Sequence, residues 1–175
     1  MTAGGFLCRI APALLAFLLL SVPAYAALRT NDNAPLFSLP LLEGGELDLA
    51  AALGKGRSRA SGGVVLTFFA TWCGPCRNEL PLLNALAHEL AERGISVVAV
   101  DLKEDPSDVR KFIAGLQADR LTVAVDRDGK TAALYQVRIM PTTFCIGADG
   151  RIKDMLYGEV RSANAFRKCA EKLFK

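Results

Sequence analysis

The stretch from Val64 to Val100 constrains the fold more than any other part of the sequence. Val64-Val65-Leu66-Thr67-Phe68-Phe69-Ala70 and Ile95-Ser96-Val97-Val98-Ala99-Val100 are short, rich in β-branched residues and almost wholly apolar. Such runs are expected of strands covered on both faces, hence of central strands. Between them Leu80, Leu83, Leu86, Ala87 and Leu90 recur at three- and four-residue spacing, with Gly94 placed as a C′ residue. That pattern predicts an amphipathic helix over 75–93. Strand, helix and strand in this order give an α/β class with layered packing.

The flanking segments extend the same plan. Val109, Phe112, Ile113 and Leu116 after Asp105-Pro106-Ser107 predict a second helix, followed by a strand over 121–125 and a helical stretch near 129–136. These read as a helix-strand insertion between core units. Thr142 to Ile146 and Arg151 to Tyr157, joined through Ala148-Asp149-Gly150, predict a hairpin. A last helix, capped by Ser162, turns Phe166, Cys169 and Leu173 inward. Near the start, Leu36–Leu39 and Glu46–Leu49 flank Glu43-Gly44-Gly45, a small N-terminal β-hairpin added to the main sheet.

Residues 1–26 have a different character. Arg9 is their one charged residue, and Ile10 to Leu20 form an apolar run closed by Ser21-Val22-Pro23 and Ala24-Tyr25-Ala26. This is the pattern of a cleaved signal peptide with a small-x-small cutting site, and it implies export to the periplasm. An uncleaved anchor is the other reading, but the run is shorter than the ~20 residues of a spanning helix and Pro12 and Pro23 bracket it. Cys8 precedes the apolar run, which disfavours lipidation there. A single domain is expected over 27–175, a length that buries a real core.

The charge balance excludes one class of partner. The formal net charge is only +3, and Arg9 belongs to the leader. The one basic cluster, Lys55, Arg57 and Arg59, sits among glycines and serines without interleaved aromatics, which reads as a solvated loop and gives no footprint for nucleic acid.

Trp72-Cys73-Gly74-Pro75-Cys76 begins where the apolar strand ends and the long helix starts. The placement carries the chemistry, because the unpaired N–H groups and the dipole at a helix N-terminus favour an anion. Cys73 should therefore be a nucleophile with lowered pKa, and Cys76, one turn further in, the thiol that resolves its mixed disulfide. Pro75 has no N–H to lose in the first turn and stiffens the geometry between the sulfurs. A zinc site would need four ligands, whereas the region after the leader holds Cys73, Cys76, Cys145, Cys169 and His88 with no second CxxC and no HxxxH. No metal and no cofactor beyond the Cys73–Cys76 couple is expected.

Ile139-Met140-Pro141-Thr142-Thr143 stands just before an apolar strand. With the CxxC, it makes the sequence resemble the thioredoxin superfamily, and the resemblance implies a cis Pro141 facing the cysteines and a substrate chain pairing with the backbone before it. Trp72, Gly74, Pro75, Met140 and Pro141 would then contact substrate. The sequence is similar in particular to the exported TlpA-like and ResA-like branch, which includes the thioredoxin-like proteins of cytochrome c maturation. That likeness rests on Ala34-Pro35-Leu36-Phe37-Ser38-Leu39, on the run from Trp72 through Pro81, on the inserted helix and strand, and on Met140-Pro141-Thr142. It implies a thioredoxin fold with a mixed central sheet flanked by helices, and a protein-disulfide reductase acting on protein thiols such as those of apocytochrome c. It further implies an upstream membrane electron donor; a monomer is expected.

In that branch the acid three residues after the second cysteine assists proton transfer, which gives Glu79 that role; as a plain helix-dipole acid it would need none. Thioredoxin has a buried aspartate six residues before its first cysteine, and Thr67 stands there. Cys145 and Cys169 fall at inward positions, either as small buried hydrophobes or as a structural disulfide. His88 lies off the apolar stripe, at the surface, and Trp72 is expected to be partly core while shaping the site. Two other functions compete with disulfide exchange. A copper-handling or client-binding module would hold a soft metal on the dithiol. A thiol peroxidase would need a threonine three residues before the cysteine, where Ala70 stands.

Overall fold

In the computed structural model, which describes residues 27–54 and 61–174, five strands form one mixed sheet. The leader and the Lys55, Arg57 and Arg59 cluster lie outside the described residues. In chain order the elements are β1 (Ser38–Pro40), β2 (Glu46–Asp48), α1 (Leu49–Ala52), β3 (Gly63–Phe69), α2 (Gly74–Glu92), β4 (Ile95–Leu102), α3 (Pro106–Gly115), β5 (Thr122–Asp126), α4 (Lys130–Leu134), β6 (Thr142–Ile146), β7 (Ile152–Tyr157) and α5 (Ala163–Lys172). The sheet order is β5-β4-β3-β6-β7. β3 pairs parallel with β4 and antiparallel with β6, so the strand that leads to the cysteines is central, and all seven of its residues are buried. This is the thioredoxin arrangement, with β5 of the insertion forming an edge parallel to β4.

The period-2 alternation of the strands divides the core in two. Val65, Phe69, Val97 and Ala99 face Leu80, Leu83 and Leu90 of α2, Phe112 of α3 and Phe166 of α5. Val64, Leu66, Phe68, Val98 and Phe144 face the other way, against Leu47, Leu49 and Tyr135. The Tyr135 ring lies 4.9 Å from that of Phe144, and its hydroxyl donates to the Pro35 carbonyl at 2.9 Å, which pins the N-terminal segment to this face. Gly63 opens β3 at φ +118°, and a Cβ built there would stand 2.5 Å from the Ile146 carbonyl oxygen. Only glycine fits this close approach of two paired strands.

The N-terminal hairpin is present but does not extend the main sheet as expected. β1 and β2 form a separate two-stranded sheet, tied to the β5 edge through a bridge between Leu41 and Ala124 and a hydrogen bond from Leu42 N–H to the Val123 carbonyl. Pairing begins at Ser38, two residues later than the apolar pattern suggests, because Leu36 is turned to solvent. α2 continues through Pro81 to Glu92. α4 is confined to five residues of the expected stretch.

Cys145 of β6 and Cys169 of α5 form a disulfide, with Cα atoms 6.0 Å apart. Both are fully buried, so of the two expectations for these cysteines the covalent one holds. Arg167 of α5 also makes a two-pronged ion pair with Glu89 of α2, at 2.8–3.1 Å. α5 is thus fastened to both the sheet and the long helix.

Candidate active site

β3 ends at Phe69, and Ala70 and Thr71 turn the chain into α2. The Cys73 N–H donates to the Ala70 carbonyl at 3.1 Å, and Cys73 itself is the N-cap of the helix. The Cys76 N–H points at the Cys73 sulfur, 3.2 Å away. The first turn therefore directs an otherwise orphaned donor at the sulfur that would bear charge. Cys73 and Cys76 are joined in a disulfide with Cα atoms 5.3 Å apart.

The two sulfurs differ in access. Cys73 is 5% exposed and Cys76 not at all. Around Cys73 the surface is open, since Gly74 and Pro75 are exposed. Trp72 is 72% exposed, which corrects the expectation that it is partly core. Its predecessor Thr71 closes the turn with a polar contact instead, leaving the indole on the rim. The Met140–Pro141 peptide is cis; Pro141 is buried, and Met140 packs, partly covered, on the core cluster that holds both cysteines. Ile139 and Tyr157 add exposed apolar surface beside it.

Glu79 is not an ordinary surface acid of the first turns. It is 1% exposed, three residues past Cys76 and so on the same face of α2. Its Oε2 accepts the Val160 N–H at 2.9 Å. Thr143 donates to Thr67 at 2.9 Å, and the Thr67 hydroxyl lies 3.4 Å from Glu79 Oε1. Burial pushes the Glu79 carboxyl up to about 7, against the opposing pull of Val160 N–H and the two threonine hydroxyls. Such a group can hold a proton or release it near neutral pH. Thr67, where thioredoxin places its aspartate, serves here as a hydrogen-bond partner to a carboxyl supplied by the helix.

Four contributors escaped the sequence reading. Thr143 and the Val160 N–H reach Glu79 from β6 and from the loop after β7, parts of the chain far from the CxxC. Asp101 near the end of β4 holds the Glu104 N–H, and Glu104 just beyond the strand reaches the Thr71 turn; an acid closing an apolar strand at the carboxyl edge of the sheet was the available signal. His88 is on the surface beside Glu92, as expected. Among the described residues no group of three or more His, Cys, Asp or Glu could hold a metal ion.

A mixed sheet of this order, with a CxxC disulfide capping the helix that follows its central strand and a cis-proline strand beside it, defines a thioredoxin-fold disulfide-exchange protein. The AhpC/TSA family model matches residues 30–155. The thiol-disulfide oxidoreductase ResA of Bacillus cereus is 33% identical over 132 residues, spanning 75% of this chain and 72% of that protein. Among solved structures, a Chlorobium tepidum protein described as a thiol:disulfide interchange protein DsbE is 33% identical, with a TM-score of 0.74 over 85% of this chain and 100% of that one. Peroxidoxin BcpB of Mycobacterium tuberculosis is 26% identical, with a TM-score of 0.68 over 84% and 97% of the two chains. The chain belongs to the AhpC/TSA family of thioredoxin-fold proteins and is a thiol-disulfide oxidoreductase of the ResA/DsbE type.

Proposed function

We propose that this protein is exported and reduces disulfides of client proteins in the periplasm, apocytochrome c among them, with Cys73 as the attacking thiolate and Cys76 as the resolving thiol. The observation that carries the reading is the asymmetry of the pair: Cys73 caps α2 with a small part of its surface open between exposed Trp72 and Gly74, whereas Cys76 is wholly enclosed. The exposed Trp72, Gly74 and Pro75 on one side and Met140 and Pro141 on the other frame the space a client chain would enter. In the reducing direction the Cys73 thiolate attacks a client sulfur, the client's other sulfur leaves as a thiolate, and Cys76 then attacks Cys73. The protein ends as the disulfide and the client as the dithiol. Glu79 takes up the Cys76 proton in this scheme, and a membrane-bound dithiol donor restores the reduced form.

Export is supported by the leader pattern of residues 1–26 and by the buried Cys145–Cys169 disulfide, a bond that persists in oxidising compartments. Gly74-Pro75 between the cysteines supports the reducing direction, and a potential near about −270 mV would agree with it. The decisive experiment is substitution of each cysteine. Cys73→Ser abolishes insulin reduction, and Cys76→Ser accumulates a mixed disulfide with the client. A trap formed equally well by Cys73→Ser would reverse the two roles.

Peroxide reduction is the competing reading, favoured by the family model and by the likeness to BcpB. Against it, Ala70 is fully buried and carries no hydroxyl three residues before Cys73. Hydrogen peroxide consumption by the purified protein at a rate matching insulin reduction would favour the peroxidase.

A further inference from the structure

Asp101 closes the buried part of β4, in register with Phe69 at the end of β3, and is fully enclosed. One of its oxygens, Oδ2, accepts the Glu104 N–H at 3.2 Å. The other, Oδ1, is buried without a hydrogen-bond donor. The Glu104 carboxyl is close enough to Asp101 to raise its pKa. Glu104 in turn accepts the Thr71 N–H at 2.5 Å on Oε2 and the Thr71 hydroxyl at 2.6 Å on Oε1. Thr71 lies two residues before Cys73, in the turn whose Ala70 carbonyl holds the Cys73 N–H. A continuous line of contacts thus runs from a buried acid on β4 to the cysteine's own turn.

An enclosed carboxyl beside a second carboxyl is costly to ionise, because the two charges repel and the enclosed one lacks solvation. Glu104 is only half-buried, and its two oxygens are taken up by the Thr71 N–H and hydroxyl. Asp101 is enclosed and has an oxygen in want of a hydrogen, which suits the neutral acid. We propose that Asp101 is a positioning residue for the exchange reaction: as a neutral acid it donates a hydrogen bond to Glu104, keeping Glu104 on Thr71 and so fixing the turn that presents Cys73. The inference rests on Cys73 being the attacking sulfur.

Burial, followed by the neighbouring Glu104, raises the Asp101 carboxyl to about 8, so the device should fail on the alkaline side. Among the described residues, the charged groups on the elements around it are engaged elsewhere. Its register neighbours Phe69 and Val125 are apolar. Asp126 of β5 faces the other side, where the N–H groups of Thr131 and Ala132 hold it. On α2, Arg77 lies over the Phe112 ring and Glu79 is bound by Thr67, Thr143 and Val160. Asp105 caps α3, and Lys103 packs on Gly129.

The test follows the Thr71 amide by 15N NMR in the oxidised protein, where neither active-site cysteine titrates. In the native chain the signal should move with a midpoint near 8. Asp101→Asn, whose amide donates at every pH, should leave it flat and keep insulin reduction at neutral pH within about twofold. Asp101→Leu, which removes the donor, should slow insulin reduction by about fivefold or more. A flat Thr71 signal in the native protein, or a titration that survives in Asp101→Asn, overturns the proposal. Should Asp101→Asn not fold, Glu104→Gln must abolish the same titration, and its persistence there has the same meaning. The Cys76→Ser trap, made in the native background, reports separately on Cys73, so failure of one reading is not mistaken for failure of the other.

Discussion

At the scale of single residues, Glu79 changes charge within the pH range in which thiol exchange is run. Its carboxyl titrates about 4.5 in the unfolded chain and about 7 in the folded one. The native state therefore binds the proton more tightly, and the stability this brings is full below about 4.5 and declines as pH rises through 7. Urea midpoints at pH 5 and 7.5 should show the native protein losing on the order of 2–3 kcal/mol across this window relative to Glu79→Gln. Equal pH dependence in the two proteins would remove the proton-holding role. The same variant should lose the part of the rate profile that turns near pH 7, with insulin reduction falling by roughly tenfold as expected for one general acid-base group. The sequence singles out Glu79 and leaves its role open. Its partners lie 12, 64 and 81 residues away, at Thr67, Thr143 and Val160, beyond any local pattern.

At the scale of elements, β3 and α2 act as one unit, and their junction depends on the strand being held in the centre of the sheet. Gly63 is the tightest point. Gly63→Ala combines a strained φ of +118° with a contact 2.5 Å from the Ile146 carbonyl, and should cost roughly 2–3 kcal/mol in urea unfolding. A loss under about 0.5 kcal/mol would show that the two strands can part at no cost. On the helix, Leu83 is fully buried against the sheet, and Leu83→Ala should cost about 3 kcal/mol through the cavity it leaves. The expected central elements agree with those found because the apolar signals in this chain are unmixed: short, nearly continuous β-branched runs in β3 and β4, three- and four-residue spacing in α2. The N-terminal hairpin departs from expectation for an equally physical reason. Whether a short hairpin joins the main sheet depends on hydrogen bonding along the β5 edge, and there a single bridge forms.

At the scale of the whole molecule, α5 is bound to the sheet by the Cys145–Cys169 disulfide and to α2 by Arg167 and Glu89. Replacing both cysteines, Cys145→Ala with Cys169→Ala, should lower stability by about 3 kcal/mol, the entropy of opening a loop of this length. Thermal unfolding followed by circular dichroism checks this. Insulin reduction by the folded double variant should be unchanged, and a loss of activity there would tie the second disulfide to the exchange chemistry.

The order of elements, the βαβ unit, and the position of Cys73 and Cys76 at the strand-helix junction were determined by the sequence alone, because each is written in residues adjacent along the chain. The exposure of Trp72, the burial of Glu79 among two threonines, the covalent choice at Cys145 and Cys169, and the contact of Asp101 with Glu104 and the Thr71 turn were decided by tertiary structure. Desolvation and hydrogen bonding set the behaviour of these groups. Both depend on which distant strands and loops close over a residue, and only the folded chain brings those together.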